Sequence, residues 1–125
     1  MSEGKKEEIS LFLKEFKMIA KKRGIDFIPR QEFIETLILF GITRRNCEEE
    51  ILSLSVDDYC QGPDDDRDRP GKVWVFGRHI EGREVYIKLK LATVSKEVIA
   101  KCLSFHPAEF PLCFPLRSKK GGKEQ

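Results

Sequence analysis

Alternating side chains between residues 82 and 91 place a phenol and two ammonium groups on one side of a predicted β-strand. Tyr86, Lys88 and Lys90 occupy every second position, and apolar residues fill the positions between them. Because successive side chains of a strand point to opposite faces, the apolar set must meet a core, and the polar set then faces solvent or a ligand. A phenol beside a row of cations suits the binding of an anion such as phosphate.

A histidine ends the next predicted strand. Ser104 and His106 fall on one face of this strand, whereas Phe105 falls on the other and is expected in the core. Pro107 follows directly and ends the strand. Imidazole titrates near neutral pH, so it serves as a general acid or base in many sites. The pattern predicts an exposed imidazole at the rim of the sheet.

Phenol, ammonium and imidazole groups together match the chemistry of RNA cleavage. RNA carries its own nucleophile, the 2′-hydroxyl, so its cleavage needs a base, an acid and cations around the phosphorane, but no metal. We therefore expect no cofactor and no metal site. Aromatic faces also stack unpaired bases, which favours single-stranded RNA as the substrate. A purely structural interpretation is the alternative, because lysines on a solvated sheet face are common and discourage edge pairing.

The preceding predicted strand adds three candidates. Trp74, Phe76 and Arg78 alternate along it, and they lie across from Tyr86 if the two strands present these residues on the same face. In that arrangement Arg78 would help to bind phosphate. The alternative, in which Trp74 and Phe76 belong to the core, is equally compatible with the pattern.

Length and composition favour one domain. The chain has 125 residues, of which 40% are hydrophobic, and this is enough for a single core. No apolar run approaches the roughly 18 residues that span a membrane, and the N-terminus lacks the apolar stretch of a signal peptide. We therefore expect a cytoplasmic protein without a membrane partner. The four cysteines form no C-x-x-C pair, so free thiols are predicted.

Charge is distributed unevenly along the chain. Residues 72–125 hold 11 Lys and Arg against five Asp and Glu and so carry +6, whereas residues 1–71 carry −4. Clustered cations raise the local concentration of phosphates, so an anionic partner such as RNA is expected. Four of the positive charges lie at 117–123, however, and the excess is modest without them.

The first half of the chain has the apolar spacing of helices. A first helix is predicted from residue 9 to Gly24, and a second from Pro29 to Gly41. Thr43 is the expected N-cap of a third helix, and Ser55 begins a further capping box. Residues 60–71 contain Gly, Pro and charges without periodicity, so a loop is predicted there. The second helix is expected to bury Phe33, Ile34, Leu37 and Ile38.

From residue 72 the period changes to two. Strands are predicted at 72–80, 83–91 and 97–106, and the first two are joined by a hairpin turn at Glu81 and Gly82. Prolines at 107, 111 and 115 exclude regular structure afterwards, although Phe110, Leu112 and Phe114 are expected to pack back on the domain. The predicted fold is α+β, with N-terminal helices packed on one face of an antiparallel β-sheet. It forms a single domain at 1–116, followed by a disordered basic tail at 117–125.

Several short runs resemble the MqsR (motility quorum-sensing regulator) family, bacterial mRNA interferase toxins of type II toxin–antitoxin systems with a RelE-like fold. These runs are ILSLSVDDYCQGP, VWVFG, GREVYIKLKL and CLSFH, and the match covers roughly residues 33–106. The resemblance implies that Tyr86 and Lys88 belong to an active groove and that His106 replaces a catalytic lysine. It also implies a small cognate antitoxin with a zinc-binding domain. Gln61 and Val75 depart from the family pattern, where a lysine and a glutamine are expected.

The residues and the resemblance together predict a metal-independent endoribonuclease that cleaves single-stranded RNA by attack of the 2′-hydroxyl. The alternative is a non-catalytic RNA- or protein-binding module with the same fold, since two polar groups of the family are changed. The expected catalytic residues are His106, Tyr86 and Lys88, and the expected substrate-binding residues are Lys90, Arg78, Gln61 and Tyr59.

Overall fold

The computed structural model describes residues 3–117, which form three α-helices, a 3₁₀ turn and five β-strands. The helices are α1 (Glu3–Arg23), α2 (Gln31–Phe40) and α3 (Arg44–Leu52), and the 3₁₀ turn is Val56–Asp58. The strands are β1 (Asp26–Phe27), β2 (Tyr59–Asp65), β3 (Lys72–Ile80), β4 (Arg83–Val94) and β5 (Glu97–Pro107). Beyond Arg117, the predicted tail lies outside the described residues.

The strands form one sheet in the order β1-β5-β4-β3-β2. The α+β class is confirmed, and so are the three predicted strands, which pair as an antiparallel meander. Two edge strands were not predicted. β1 pairs in parallel with β5, which makes the sheet mixed. The loop predicted at 60–71 is wrong in its first half, because β2 pairs with β3 there through two register shifts that remove any alternation.

Two tight turns set the register of the meander. Glu81 and Gly82 both have positive φ, 52° and 79°, as a two-residue hairpin turn requires. Ser95 and Lys96 also have positive φ, 50° and 71°, and they connect β4 to β5. The hairpin predicted at Glu81 and Gly82 and the turn predicted at Ser95 and Lys96 are both confirmed.

One face of the sheet, called the inner face here, carries the main core. The predicted apolar stripe of α1 is buried against it, and the ring of Phe12 stacks on Trp74 with centroids 4.7 Å apart. Phe76 lies 6.1 Å from Phe12. Trp74 and Phe76 therefore belong to the core, which decides between the two alternatives left by the sequence. From α3, Cys47 and Ile51 are fully buried in the same cluster.

α2 packs at the β5 side of the sheet through a narrower face than predicted. Phe33 is buried, stacks on Phe27 at 5.1 Å and meets Phe105 edge-on. Thr36 is also buried, and its hydroxyl is satisfied there because it donates to the Glu32 carbonyl at 2.7 Å. The prediction that Ile34 and Ile38 are buried is wrong, since both are exposed. The helix ends as predicted at Gly41, which adopts the left-handed conformation.

Residues 108–117, called the C-terminal segment here, fold back onto the sheet. A Cβ atom on Gly77 would lie 2.6 Å from Leu112 and 2.8 Å from Phe114, so both side chains rest directly on the β3 backbone. Arg117 donates to the Asp58 carboxylate at 3.2 Å and holds the end of the segment. Phe110 is 77% exposed, so its predicted packing on the domain is wrong. Within residues 3–117, no helix has the length and apolar character needed to cross a membrane.

Candidate functional site

The face of the sheet opposite α1, called the outer face here, carries the alternating row from β4. Tyr86 pairs with His106 on β5 and with Gly77 on β3. Lys88 pairs with Ser104 on β5 in the neighbouring row. Directly paired residues in an antiparallel sheet have side chains on the same face, with Cβ atoms about 5 Å apart. The predicted phenol, ammonium and imidazole groups are therefore neighbours.

The rings of Tyr86 and His106 stack on each other. Their centroids lie 5.3 Å apart and their planes are inclined by 16°. Both side chains are half-buried, so each ring is fixed by the other while one edge remains accessible. This contact satisfies the geometric condition on which the predicted site depends, namely that the imidazole and the phenol lie over the same exposed surface.

The hydrogen bonds of His106 define which ring nitrogen is available. Nδ1 lies 2.9 Å from the Pro107 carbonyl oxygen. Because a carbonyl can only accept, this contact assigns the hydrogen to Nδ1 and leaves a lone pair on Nε2. Nε2 lies 3.9 Å from a Glu32 carboxylate oxygen. The ring nitrogen that keeps its lone pair therefore faces a carboxylate at the cavity wall.

A cavity of about 420 Å³ opens over this pair. Its floor is the outer face of β4 and β5, one wall is the start of α2, and the other wall is the C-terminal segment. Lys88 contributes an ammonium group that has no ion pair among the residues that the structure describes. The lining residues are Arg30, Glu32, Tyr86, Lys88, Ser104, His106 and residues 108–112.

Burial changes the acid–base character of two groups near this cavity. It raises the pKa of Tyr86 above its ordinary value of 10.0, and the nearby Cys60 and Asp64 raise it further. Tyr86 therefore stays a protonated hydrogen-bond donor at neutral pH, and a role as general base is disfavoured. Burial likewise raises the pKa of Cys60 to about 12, so its thiol is a poor nucleophile.

Lys90 lies on the outer face but is not solvated. Its side chain is 4% exposed, and its ammonium group contacts the Asp66 carboxylate at 2.5 Å. The bond to Lys90 lowers the pKa of Asp66 from 3.8 to about 2. The turn at residues 66–71 covers this ion pair. The prediction that Lys90 faces solvent and binds substrate directly does not agree with this burial.

Two other predicted substrate contacts lie on the wrong face. The two-residue hairpin pairs Arg78 with Val85 rather than with Tyr86, so its guanidinium points to the inner side. It binds the Glu50 carbonyl and the Ser53 hydroxyl instead of the cavity. Tyr59 is buried on the same side and packs edge-on against the core rings of Trp74 and Phe76.

Gln61 lies on the outer face, but two strands away from the cavity floor. It pairs with Val75, which pairs with Lys88, so Gln61 and Lys88 are separated by about 10 Å. Its side-chain amide donates to Asp64 at 2.8 Å. Gln61 is therefore outside the cluster that the structure brings together, which contains Tyr86, Lys88 and His106.

Sequence reasoning missed two side chains of the cavity, Arg30 and Glu32. Arg30 is the N-cap residue of α2, and Glu32 belongs to the first turn of this helix. Both reach the site because β1 pairs in parallel with β5 and delivers the start of α2 to its edge. A strand of two residues leaves no periodic signal, so the sequence offered no means of placing these residues.

Comparisons with known protein families, with curated proteins and with solved structures find no match to this chain. The resemblance to MqsR toxins thus rests on its short sequence motifs. Among residues 3–117, no group of three or more His, Cys, Asp and Glu side chains is placed to hold a metal ion.

Proposed function

We propose that this protein is a metal-independent endoribonuclease that cleaves single-stranded RNA, in the manner of an mRNA interferase toxin. The observation that carries the proposal is the stacked Tyr86–His106 pair beside the Lys88 ammonium, which has no ion pair within residues 3–117, over one open cavity. An open cavity of this size can accept an extruded nucleotide, whereas a duplex cannot present its bases to it.

In the proposed reaction, His106 is the general base. Its Nε2 takes the proton of the 2′-hydroxyl, the 2′-oxygen bonds to phosphorus, and the bond between phosphorus and the 5′-oxygen breaks. Glu32, 3.9 Å from Nε2, stabilises the imidazolium formed in this step. The products are a 2′,3′-cyclic phosphate and a 5′-hydroxyl.

Cations and donors on the cavity floor complete the mechanism. The Lys88 ammonium stabilises the negative charge that develops on the phosphorane, and Arg30 holds a phosphate at the cavity wall. Either the protonated Tyr86 hydroxyl or the Lys88 ammonium gives a proton to the leaving 5′-oxygen. Water then reprotonates that donor and removes the proton from the His106 imidazolium. The Tyr86 ring is also the surface on which a base can stack.

The proposal is tested by incubating the purified full chain with single-stranded RNA in EDTA. We expect fragments that end in 2′,3′-cyclic phosphate, and none from an oligonucleotide with 2′-deoxy sugars. His106→Ala and the more conservative His106→Gln should each reduce the rate by at least about 100-fold, because general base catalysis contributes about 10²–10⁴. Equal rates from the wild type and both variants, prepared identically, would indicate a contaminating nuclease and reject the proposal.

Substitutions at Tyr86 separate its two roles. Tyr86→Phe keeps the ring stack and removes the hydroxyl, whereas Tyr86→Ala removes both. A large loss only in Tyr86→Ala assigns the tyrosine to base stacking. A loss in both variants assigns the hydroxyl to proton donation.

A non-catalytic RNA-binding module is the alternative that the same experiment detects. It predicts RNA binding that depends on Lys88 and Arg30, with no products in EDTA or in magnesium. A cognate antitoxin, with a zinc-binding domain as the family resemblance implies, is proposed as the natural inhibitor of the nuclease.

A further inference from the structure

A second cavity lies further along the outer face, beyond the candidate active site. Its volume is about 490 Å³, and it lies between the sheet and the turn at residues 66–71. Arg30 lines both cavities, so they form one continuous surface at this guanidinium. Lys88 borders the first cavity and Lys90 the second. Two residues along β4 span about 7 Å, which is comparable to the separation of adjacent phosphates in an extended single strand.

The lining of this second cavity has both parts that a nucleotide needs. Cationic groups come from Arg30, Arg69 and Lys101. Arg30 and Arg69 form no side-chain hydrogen bond or ion pair with any other residue of 3–117. Lys101 has only a loose contact, 3.8 Å, with the half-exposed Asp26. Ile28 and Leu103 add an apolar surface on which a base can lie.

The turn also adds two carboxylates to the lining of this cavity, Asp66 and Asp68, and Lys90 neutralises the first of them, so the lining keeps an excess of cations. The Asp66 side chain is held by Lys90, and the Asp66 backbone N–H donates to the Gly71 carbonyl at 3.0 Å. A carboxylate oxygen of Asp66 also accepts from the Asp68 N–H at 2.9 Å. Gly71 lies close to the Lys90 stem, because a Cβ at Gly71 would be 2.9 Å from its Cε. Lys90 is therefore a positioning residue for the turn that carries Arg69.

We propose that this second cavity is a subsite for a nucleotide that flanks the scissile phosphate, with Arg30, Arg69 and Lys101 binding its phosphate and Ile28 and Leu103 its base. The inference rests on the proposed function, because it assigns a longer stretch of the same single-stranded RNA to the protein. With this subsite the protein would bind several consecutive nucleotides rather than one.

The subsite is tested with uncleavable 2′-O-methyl oligonucleotides of two, four and eight nucleotides, labelled at the 5′ end and followed by fluorescence anisotropy. Affinity should rise by at least tenfold from two to four nucleotides. In Arg69→Ala/Lys101→Ala, affinity for the octamer should fall by about tenfold or more. Its salt dependence should also weaken by about 1.4 in slope, since each phosphate contact on a single strand contributes about 0.7.

A matched control removes the same charge from the opposite side of the molecule. Lys14 and Lys21 are exposed on α1, which packs on the inner face. Lys14→Ala/Lys21→Ala should keep both the affinity and the salt slope of the wild type. An equal loss of affinity in this control would show that the effect depends only on net charge, and it would overturn the subsite. An octamer with abasic sites that binds as tightly as the full octamer would also overturn it, because the apolar floor would then bind no base.

Cleavage of the corresponding RNA separates the two proposals. If the subsite variant retains the wild-type kcat/KM on an octamer, the subsite is wrong while the nuclease stands. If no variant cleaves but Arg69 and Lys101 control binding, the nuclease is wrong while the subsite stands. A selective loss of kcat/KM on the octamer, with cleavage of a dinucleotide unchanged, supports both.

Discussion

At the level of single residues, the ion pair between Lys90 and Asp66 is unusual because both charged groups are largely buried. The Lys90 ammonium lies under the turn at 66–71, where water is largely excluded, and the Asp66 carboxylate is its partner. Removing one member of a buried pair leaves the other charge uncompensated, which costs more than the pair itself contributes. Moving the turn away from β4 would separate the two charges, and the free energy this requires keeps the turn in place.

We expect Asp66→Asn to destabilise the protein at pH 7 by about 2 kcal/mol, because the neutral amide leaves Lys90 without an anion. The bond to Lys90 lowers the pKa of Asp66 from 3.8 to about 2. A lowered pKa in the folded state means that its stabilisation is complete above pH 4 and is lost as the pH falls toward 2. Urea unfolding between pH 2 and pH 7 measures both effects.

Asp65→Asn is the matched control, because Asp65 is the exposed neighbour and pairs with Lys72 at the surface. It should change the free energy of unfolding by less than about 0.5 kcal/mol. The Asp66 variant should also lose less stability than the wild type between pH 4 and pH 2. Parallel pH curves for the wild type and Asp66→Asn would contradict the assignment of this acid transition to Asp66.

The sequence predicted Tyr86, Lys88 and His106 together because alternation is strict in β4 and holds from Ser104 to His106 in β5, although the register shifts just before Ser104. The register of the β3–β4 hairpin could also be predicted from the sequence. A two-residue turn at 81–82 pairs residue 80 with 83, and therefore Gly77 rather than an aromatic residue with Tyr86. The burial of Lys90 was not predictable in this way. It depends on Asp66, which lies 24 residues earlier in the chain and is positioned by tertiary contacts.

At the level of elements, the C-terminal segment has no regular structure and forms a wall of the cavity over Tyr86 and His106. It is attached to the sheet at Gly77, where Leu112 and Phe114 occupy the space of the absent side chain. The Leu112 N–H donates to the Glu84 carboxylate at 2.8 Å, and the Arg117 guanidinium lies 3.7 Å from the centre of the Phe114 ring. The shape of the cavity therefore depends on one glycine of β3.

We expect Gly77→Ala to displace this segment while the sheet remains folded. The new Cβ would lie 2.6 Å from a methyl group of Leu112 and 2.8 Å from the Phe114 ring, which are the far ends of side chains that can move. Overpacking of this kind costs about 1–3 kcal/mol. Amide hydrogen exchange should become faster at residues 108–117, with little change in the interior of β4 and β5.

Gly82→Ala provides the comparison. Gly82 has a φ of 79°, and an added Cβ would meet no atom within 4 Å. The substitution strains the hairpin turn and lowers stability, but it should not increase exchange selectively at 108–117. Equal exchange of this segment in Gly77→Ala and in the wild type would show that the contact does not hold it.

The central elements were predictable from sequence, and the edges of the sheet were not. The meander follows from period-two patterns between two short turns, and the α2–α3 boundary follows from Gly41 and the Thr43 cap, whose hydroxyl accepts from the Asn46 N–H. β1 and β2 lack such patterns. They pair because neighbouring strands already offer unpaired edges, so their positions are fixed by the assembled sheet.

At the level of the whole molecule, the sheet separates the residues that stabilise the fold from those of the proposed site. Its inner face holds the large cluster of buried rings and the fully buried residues of α1 and α3. Its outer face holds the two cavities, and the cationic side chains Arg30 and Lys88 line them. Substitutions on the inner face should therefore change the population of folded protein, whereas those on the outer face should change binding and rate.

Phe12→Ala tests this separation. The ring of Phe12 stacks on Trp74, the single tryptophan of the chain, so its removal leaves a cavity between α1 and β3. We expect a loss of about 3–5 kcal/mol in the free energy of unfolding. Met18→Ala, on the same helix but at a side chain that is 59% exposed, should change it by less than about 0.5 kcal/mol.

Tryptophan fluorescence and far-UV circular dichroism should report one unfolding transition in the wild type and in Phe12→Ala, because α1 and the sheet share a core. RNA cleavage per folded molecule should be the same in both proteins, since Phe12 lies on the face away from His106. A fluorescence change that precedes the dichroism change would mean that α1 leaves the sheet independently. A cleavage rate that falls further than the folded fraction would mean that the two faces are coupled, and the separation between core and site would then be wrong.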